Sequence, residues 1–151
     1  MQCTVNDVIA SLKAFVPTGD ESQDVGTLYD ILDGFEEMQG RSRAVRTMFG
    51  VLERFPSADL GAPGPIVHEL EAIPGFEGSL RASVRRRPTP STVWMVNRVL
   101  NSELTPIQRR TWLTILRSVI RHPAATVSLK QQAKAFLAHQ ERCNTTRARA
   151  V

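Results

Sequence analysis

The chain has 151 residues, 42% of them hydrophobic and 23% charged, which excludes an intrinsically disordered polypeptide and fits one domain burying roughly two-thirds of its unfolded surface. The net charge of +4 conceals a segregation: residues 1–78 carry thirteen acids and five bases, whereas residues 79–151 carry fourteen bases against Glu103 and Glu141. The two parts therefore stand at −8 and +12, an asymmetry that bears on partners and association rates rather than on fold. The plainer reading is that the two parts attract each other across one compact domain.

Helical periodicity runs almost throughout. Val5, Val8, Ile9, Leu12, Phe15 and Val16 recur at three- and four-residue spacing behind Thr4 as N-cap, and Pro17-Thr18-Gly19 stops that helix. Val25, Leu28, Ile31, Leu32 and Phe35 predict a second helix ending near Gly40. Val45, Met48, Phe49, Leu52 and Phe55 predict a third, capped by Ser42 and halted by Pro56. Gly61-Ala62-Pro63-Gly64-Pro65 reads as a rigid turn, with Pro65 at the first position of a helix holding Ile66, Val67, Leu70 and Ile73. Phe76, Leu80 and Val84 mark a fifth helix closed by Arg85-Arg86-Arg87-Pro88. A sixth, capped by Ser91 or Thr92, carries Val93, Val96, Val99 and Leu100. Thr105-Pro106 opens a long seventh with Ile107, Trp112, Leu113, Leu116, Val119 and Ile120. Thr126 caps a last one through Leu129, Ala133, Phe136 and Leu137.

This pattern predicts an all-α fold of about eight short helices, antiparallel where short turns join them, arranged as HEAT-like stacked hairpins or as an irregular bundle. Residues 1–141 are expected to form a single domain and 142–151 a frayed tail. The uncharged stretch Leu60–His68 is far shorter than the roughly 20 residues of a membrane span and is broken by two prolines. No basic and apolar leader pattern precedes Val5, and Cys3 and Cys143 have no zinc or redox spacing. A cytoplasmic protein with two free thiols is expected, a disulfide joining the ends being the alternative.

No catalytic pattern emerges. The Gly61–Pro65 turn lacks the Lys and the backbone N–H donors of a phosphate loop. His68 and Glu71 share a helix face, but no His-x-x-x-His or Glu-x-x-His repeat accompanies them. Both cysteines lie near the ends, where a nucleophile has no paired base. The expectation is a non-enzyme without cofactor or metal. Arg81, Arg85–Arg87, Arg109, Arg110, Arg117 and Arg121 could contact phosphates, with 110, 117 and 121 on one face. Scarce lysine and the lack of a helix-turn-helix or aromatic platform argue against a dedicated nucleic-acid binder.

Two segments are candidates for protein contact. Asp30, Asp33 and Glu37 fall at i, i+3 and i+7 on the polar side of the second helix, with Glu36 beside its apolar stripe. Asp20, Glu21 and Asp24 load its start. Helix-dipole complementarity accounts for part of the latter, whereas the others repel one another without local need. They form either a solvated face or a docking face that steers a basic partner. In the sixth helix Trp94, Asn97, Arg98 and Asn101 share the stripe opposite the aliphatic one, either as a packing element with hydrogen-bonded amides or as an interface hot spot.

With its acidic helix from Leu28 to Glu37, the turn Asp59-Leu60-Gly61-Ala62-Pro63-Gly64-Pro65, the segment Trp94-Met95-Val96-Asn97-Arg98-Val99-Leu100-Asn101, Arg121-His122-Pro123 and the final helix, the chain resembles small helical immunity proteins of bacterial polymorphic-toxin and contact-dependent inhibition systems. The resemblance spans about residues 25 to 140. It implies a HEAT-like helical array that binds a cognate toxin domain and blocks its active site. Many such toxins are cationic nucleases, against which an acidic face mimics nucleic-acid phosphates. The basic second part departs from the commoner wholly acidic immunity proteins. The site residues expected on this reading are Asp20, Glu21, Asp24, Asp30, Asp33, Glu37, Trp94, Asn97 and Arg98. The alternatives are an arginine-dependent nucleic-acid-binding or regulatory adaptor, and a structural subunit that forms homodimers.

Overall fold

Threonine hydroxyls set four of the helix starts in the computed structural model, which describes residues 2–150. Thr4, Thr89, Thr105 and Thr126 each hold extended backbone and accept a backbone N–H from Asp7, Thr92, Gln108 and Leu129 respectively. The first three are reciprocal capping boxes. The helices are α1 (Val5–Ala14), α2 (Glu21–Ile31), α3 (Val45–Arg54), α4 (Gly64–Glu71), α5 (Phe76–Arg86), α6 (Pro90–Leu100), α7 (Pro106–Ile120) and α8 (Val127–Arg149). Short 3-10 helices cover Phe35–Glu37 and Arg41–Ala44. The described residues contain no strand, so the all-α expectation holds. None of these helices is long and apolar enough to cross a membrane.

Several boundaries differ from the sequence expectation, each for a local reason. The sixth helix is capped by Thr89 rather than Ser91 or Thr92, because Thr92 serves as the reciprocal partner inside the box. Ser42 does not cap α3; it lies in the 3-10 helix that leads into it. Pro65 sits one position after the start of α4. The second helix stops at Ile31 instead of running on toward Gly40, since Gly34 adopts a left-handed backbone (φ 69°) and turns the chain. That turn still buries Phe35 completely. Residues 142–149, part of the tail expected to fray, continue α8 to Arg149. That segment lacks Gly and Pro, and Thr145 and Thr146 donate to the carbonyls of Glu141 and Arg142.

The chain clusters into two compact units divided between Leu80 and Arg81, where the charge balance also reverses. In the first unit α1 packs on α2 and α3, and α4 packs on α2 and α3. Its core is built on Leu12, Leu28, Phe35, Met48, Phe49, Ile66 and Leu70. Arg54 from α3 donates to the carbonyls of Leu12 and Lys13 at 2.8 and 3.0 Å, placing a cation at the end of α1. The link into α4 depends on Gly61 (φ 93°), where a Cβ would fall 2.7 Å from the Gly64 Cα. In the second unit α6, α7 and α8 pack pairwise around Met95, Leu100, Trp112, Leu116 and Ala133.

Candidate functional site: a carboxylate-lined groove in the first unit

The contact between α2 and α4 leaves an open groove of about 540 Å³. Tyr29 and Asp30 from the last turn of α2, Asp33 in the Gly34 turn and Glu36 in the following 3-10 helix line one part of it. His68 and Glu69 of α4 supply the rest, with Leu32 and Pro65 at the apolar base. The early stop of α2 creates this geometry. In a continuous helix Asp33 and Glu37 would have followed Asp30 along one face; the left-handed Gly34 instead brings Glu36 to the groove and leaves Glu37 out of its lining. On α4, positions 65, 68 and 69 share one face while Ile66, Val67 and Leu70 are buried.

Four carboxylates and one histidine, His68, line the groove, with no Lys or Arg among the lining residues. Arg41 lies near, but its guanidinium donates to the carbonyls of Glu36 and Ala72 at 3.0 and 3.3 Å. Glu69 is the most perturbed member. Burial pushes its carboxyl above the usual glutamate range and Glu36 adds repulsion, with Arg41 and His68 opposing. One oxygen, Oε2, is shielded from solvent and has no hydrogen-bond partner. A cation with several N–H donors would meet that demand. Tyr29 is 55% exposed, and its ring offers a flanking face for such a group. Among the described residues no group of three or more His, Cys, Asp and Glu is arranged to hold a metal.

Because a raised carboxyl destabilises the fold when ionised, the penalty from Glu69 is absent at low pH. It grows as pH rises from the ordinary glutamate value through the folded one. Glu69→Gln is therefore expected to raise the melting temperature near neutral pH and to leave it unchanged near pH 3, as checked by calorimetry at both.

The residues singled out from sequence fall into three places. Asp30 and Asp33 reach the groove, while Glu21 and Glu37 are exposed elsewhere on the first unit. Asp20 caps α2 by accepting from the Gln23 N–H at 2.9 Å. Asp24 is only 2% exposed: its carboxylate accepts from the N–H and hydroxyl of Thr18 at 2.7 and 2.8 Å and from the Gly19 N–H at 3.1 Å. It is a loop clamp, and the Thr18 N–H above all holds its carboxyl below the usual aspartate range. The stability it contributes is thus present above the ordinary aspartate pKa and is lost as pH falls through the folded one. Asp24→Asn is expected to lower the melting temperature at pH 7 and to flatten its fall in acid, which a melting series from pH 7 to pH 2 reads directly.

In the second unit Asn97 is buried, and its Oδ1 accepts from Gln140 Nε2 at 2.8 Å. It belongs to the packing alternative rather than to an exposed hot spot. Arg98 lies over the half-buried Trp94 with its Cζ 4.9 Å from the ring centroid, a cation–π pair. Tyr29, Glu36, His68 and Glu69 were not selected from sequence as site residues. The adjacent polar pair His68 and Glu69 was readable, but no local signal paired it with the end of α2.

No family model, curated protein or solved structure matches the chain.

Proposed function

We propose that this chain is a non-enzymatic binding protein whose first unit captures a basic protein surface, and that it acts in the cytoplasm as an immunity protein, occluding a toxin domain. One observation carries the binding role: Asp30, Asp33, Glu36 and Glu69 surround a single groove whose lining holds no Lys or Arg. The shielded, unpartnered Glu69 oxygen adds a specific demand for a donor. Such an arrangement favours an arginine or lysine from a partner and speeds encounter with a cationic surface. The toxin as partner comes from the resemblance to immunity proteins.

The test is capture of the tagged chain from its native cell, followed by co-expression with whatever it retains. The expected partner is a basic protein that arrests growth alone and is neutralised by this chain. Capture should be lost when Asp30, Asp33 and Glu36 become lysines. A partner retained equally by that variant, or one without toxicity, would refute the reading.

A further inference from the structure

We infer that the second unit carries a nucleic-acid-binding face along α7, an assignment independent of the proposed function. Arg110, Arg117 and Arg121 are exposed, as is Thr114 between them. Together with Ile107, which is 69% exposed, they recur at three- and four-residue intervals. The stripe lies opposite the buried face formed by Trp112, Ile115, Leu116 and Val119. An arginine-rich helix face is solvated, paired with acids elsewhere in the fold, or in contact with phosphates. Among the described residues none of the three forms an ion pair. Arg117 and Arg121 repel each other at i, i+4, and residues 81–151 hold only Glu103 and Glu141 as acids.

The geometry suits a repeating polyanion. From Arg110 to Arg121 the helix advances about 17 Å, while duplex nucleic acid presents one charge per roughly 1.7 Å of axis. Each guanidinium is a planar fork matched to phosphate oxygens and stays ionised at all working pH values. With no helix-turn-helix or aromatic platform in the sequence, the contact is to backbone phosphates and carries no sequence preference.

Fluorescence anisotropy of the full chain with a labelled 20-base-pair DNA duplex, over a salt series, tests this. Binding is expected, with log affinity falling linearly in log salt. Changing Arg110, Arg117 and Arg121 together to glutamine should reduce that slope by about 2 to 3, each phosphate contact contributing about 0.9. The corresponding lysine triple variant, which keeps the charges, should retain it, and matched melting temperatures would exclude unfolding as the cause. Absence of binding at low salt would overturn the inference. So would an unchanged slope in the glutamine variant. Equal competition by polyglutamate would also overturn it, in favour of an acidic protein partner.

Discussion

Replacing Gln140 by alanine is expected to destabilise the second unit by about 3 kcal/mol. Gln140 is 1% exposed and joins three elements. Its Nε2 donates to Asn97 Oδ1 at 2.8 Å and Asn101 Oδ1 at 2.7 Å, and its Oε1 accepts from Arg109 Nη2 at 2.9 Å. Arg109 also donates to the carbonyl of Leu100 at 3.0 Å, while its buried Nε has no partner. Truncation leaves the Asn97 oxygen and part of a guanidinium without their bonds in a poorly hydrated site. A buried orphan costs about 1–3 kcal/mol, and more when charged. The measurement is urea denaturation, read as a lower midpoint at unchanged slope. Gln140→Leu separates the causes: it restores volume but none of the hydrogen bonds, so it should be as damaging as alanine. If the leucine variant is as stable as the parent, Gln140 is packing filler and the network contributes nothing.

Reversing Asp30, Asp33 and Glu36 to lysine is expected to slow association with a basic partner by about 10- to 100-fold at low ionic strength, and to flatten or invert its salt dependence. Those carboxylates flank one groove, so the change alters the local field where a cation would first arrive. Glu37→Lys provides the internal comparison, because Glu37 is exposed nearby but does not line the groove. Its effect should be a small fraction of the triple change. Stopped-flow mixing with the captured partner, and with a labelled oligoarginine peptide as a stand-in, measures both rates. Dissociation should respond most to Glu69→Gln, since that side chain is shielded and its loss acts after docking. Equal slowing by Glu37→Lys would show that overall charge, rather than this groove, governs encounter.

The two expectations draw on different depths of the sequence. The caps at Thr4, Thr105 and Thr126 were readable, because a hydroxyl accepting an N–H three residues on is a contact within one turn. Ile107 and Trp112 were both readable as members of the seventh helix, yet Trp112 is buried while Ile107, on another face, stays exposed at the helix start. Gln140 shows how a signal was passed over. Leu129, Ala133, Leu137 and Gln140 continue one stripe at spacings of four, four and three, and a polar residue in a core register implies partners from elsewhere. Those partners, Asn97, Asn101 and Arg109, lie 31 to 43 positions away.

Local chemistry alone determined that this protein is helical, approximately where most of its helices begin and end, and that its charge changes sign near residue 80. These properties depend on interactions spanning a few residues, or on composition. The tertiary structure decided which acids work together: it placed Asp30, Asp33 and Glu36 beside Glu69, enclosed Asp24 in a loop and put Asn97 inside. The physical reason is that burial and field depend on distance in space, and a single left-handed glycine at position 34 redirects the chain enough to exchange one carboxylate for its neighbour.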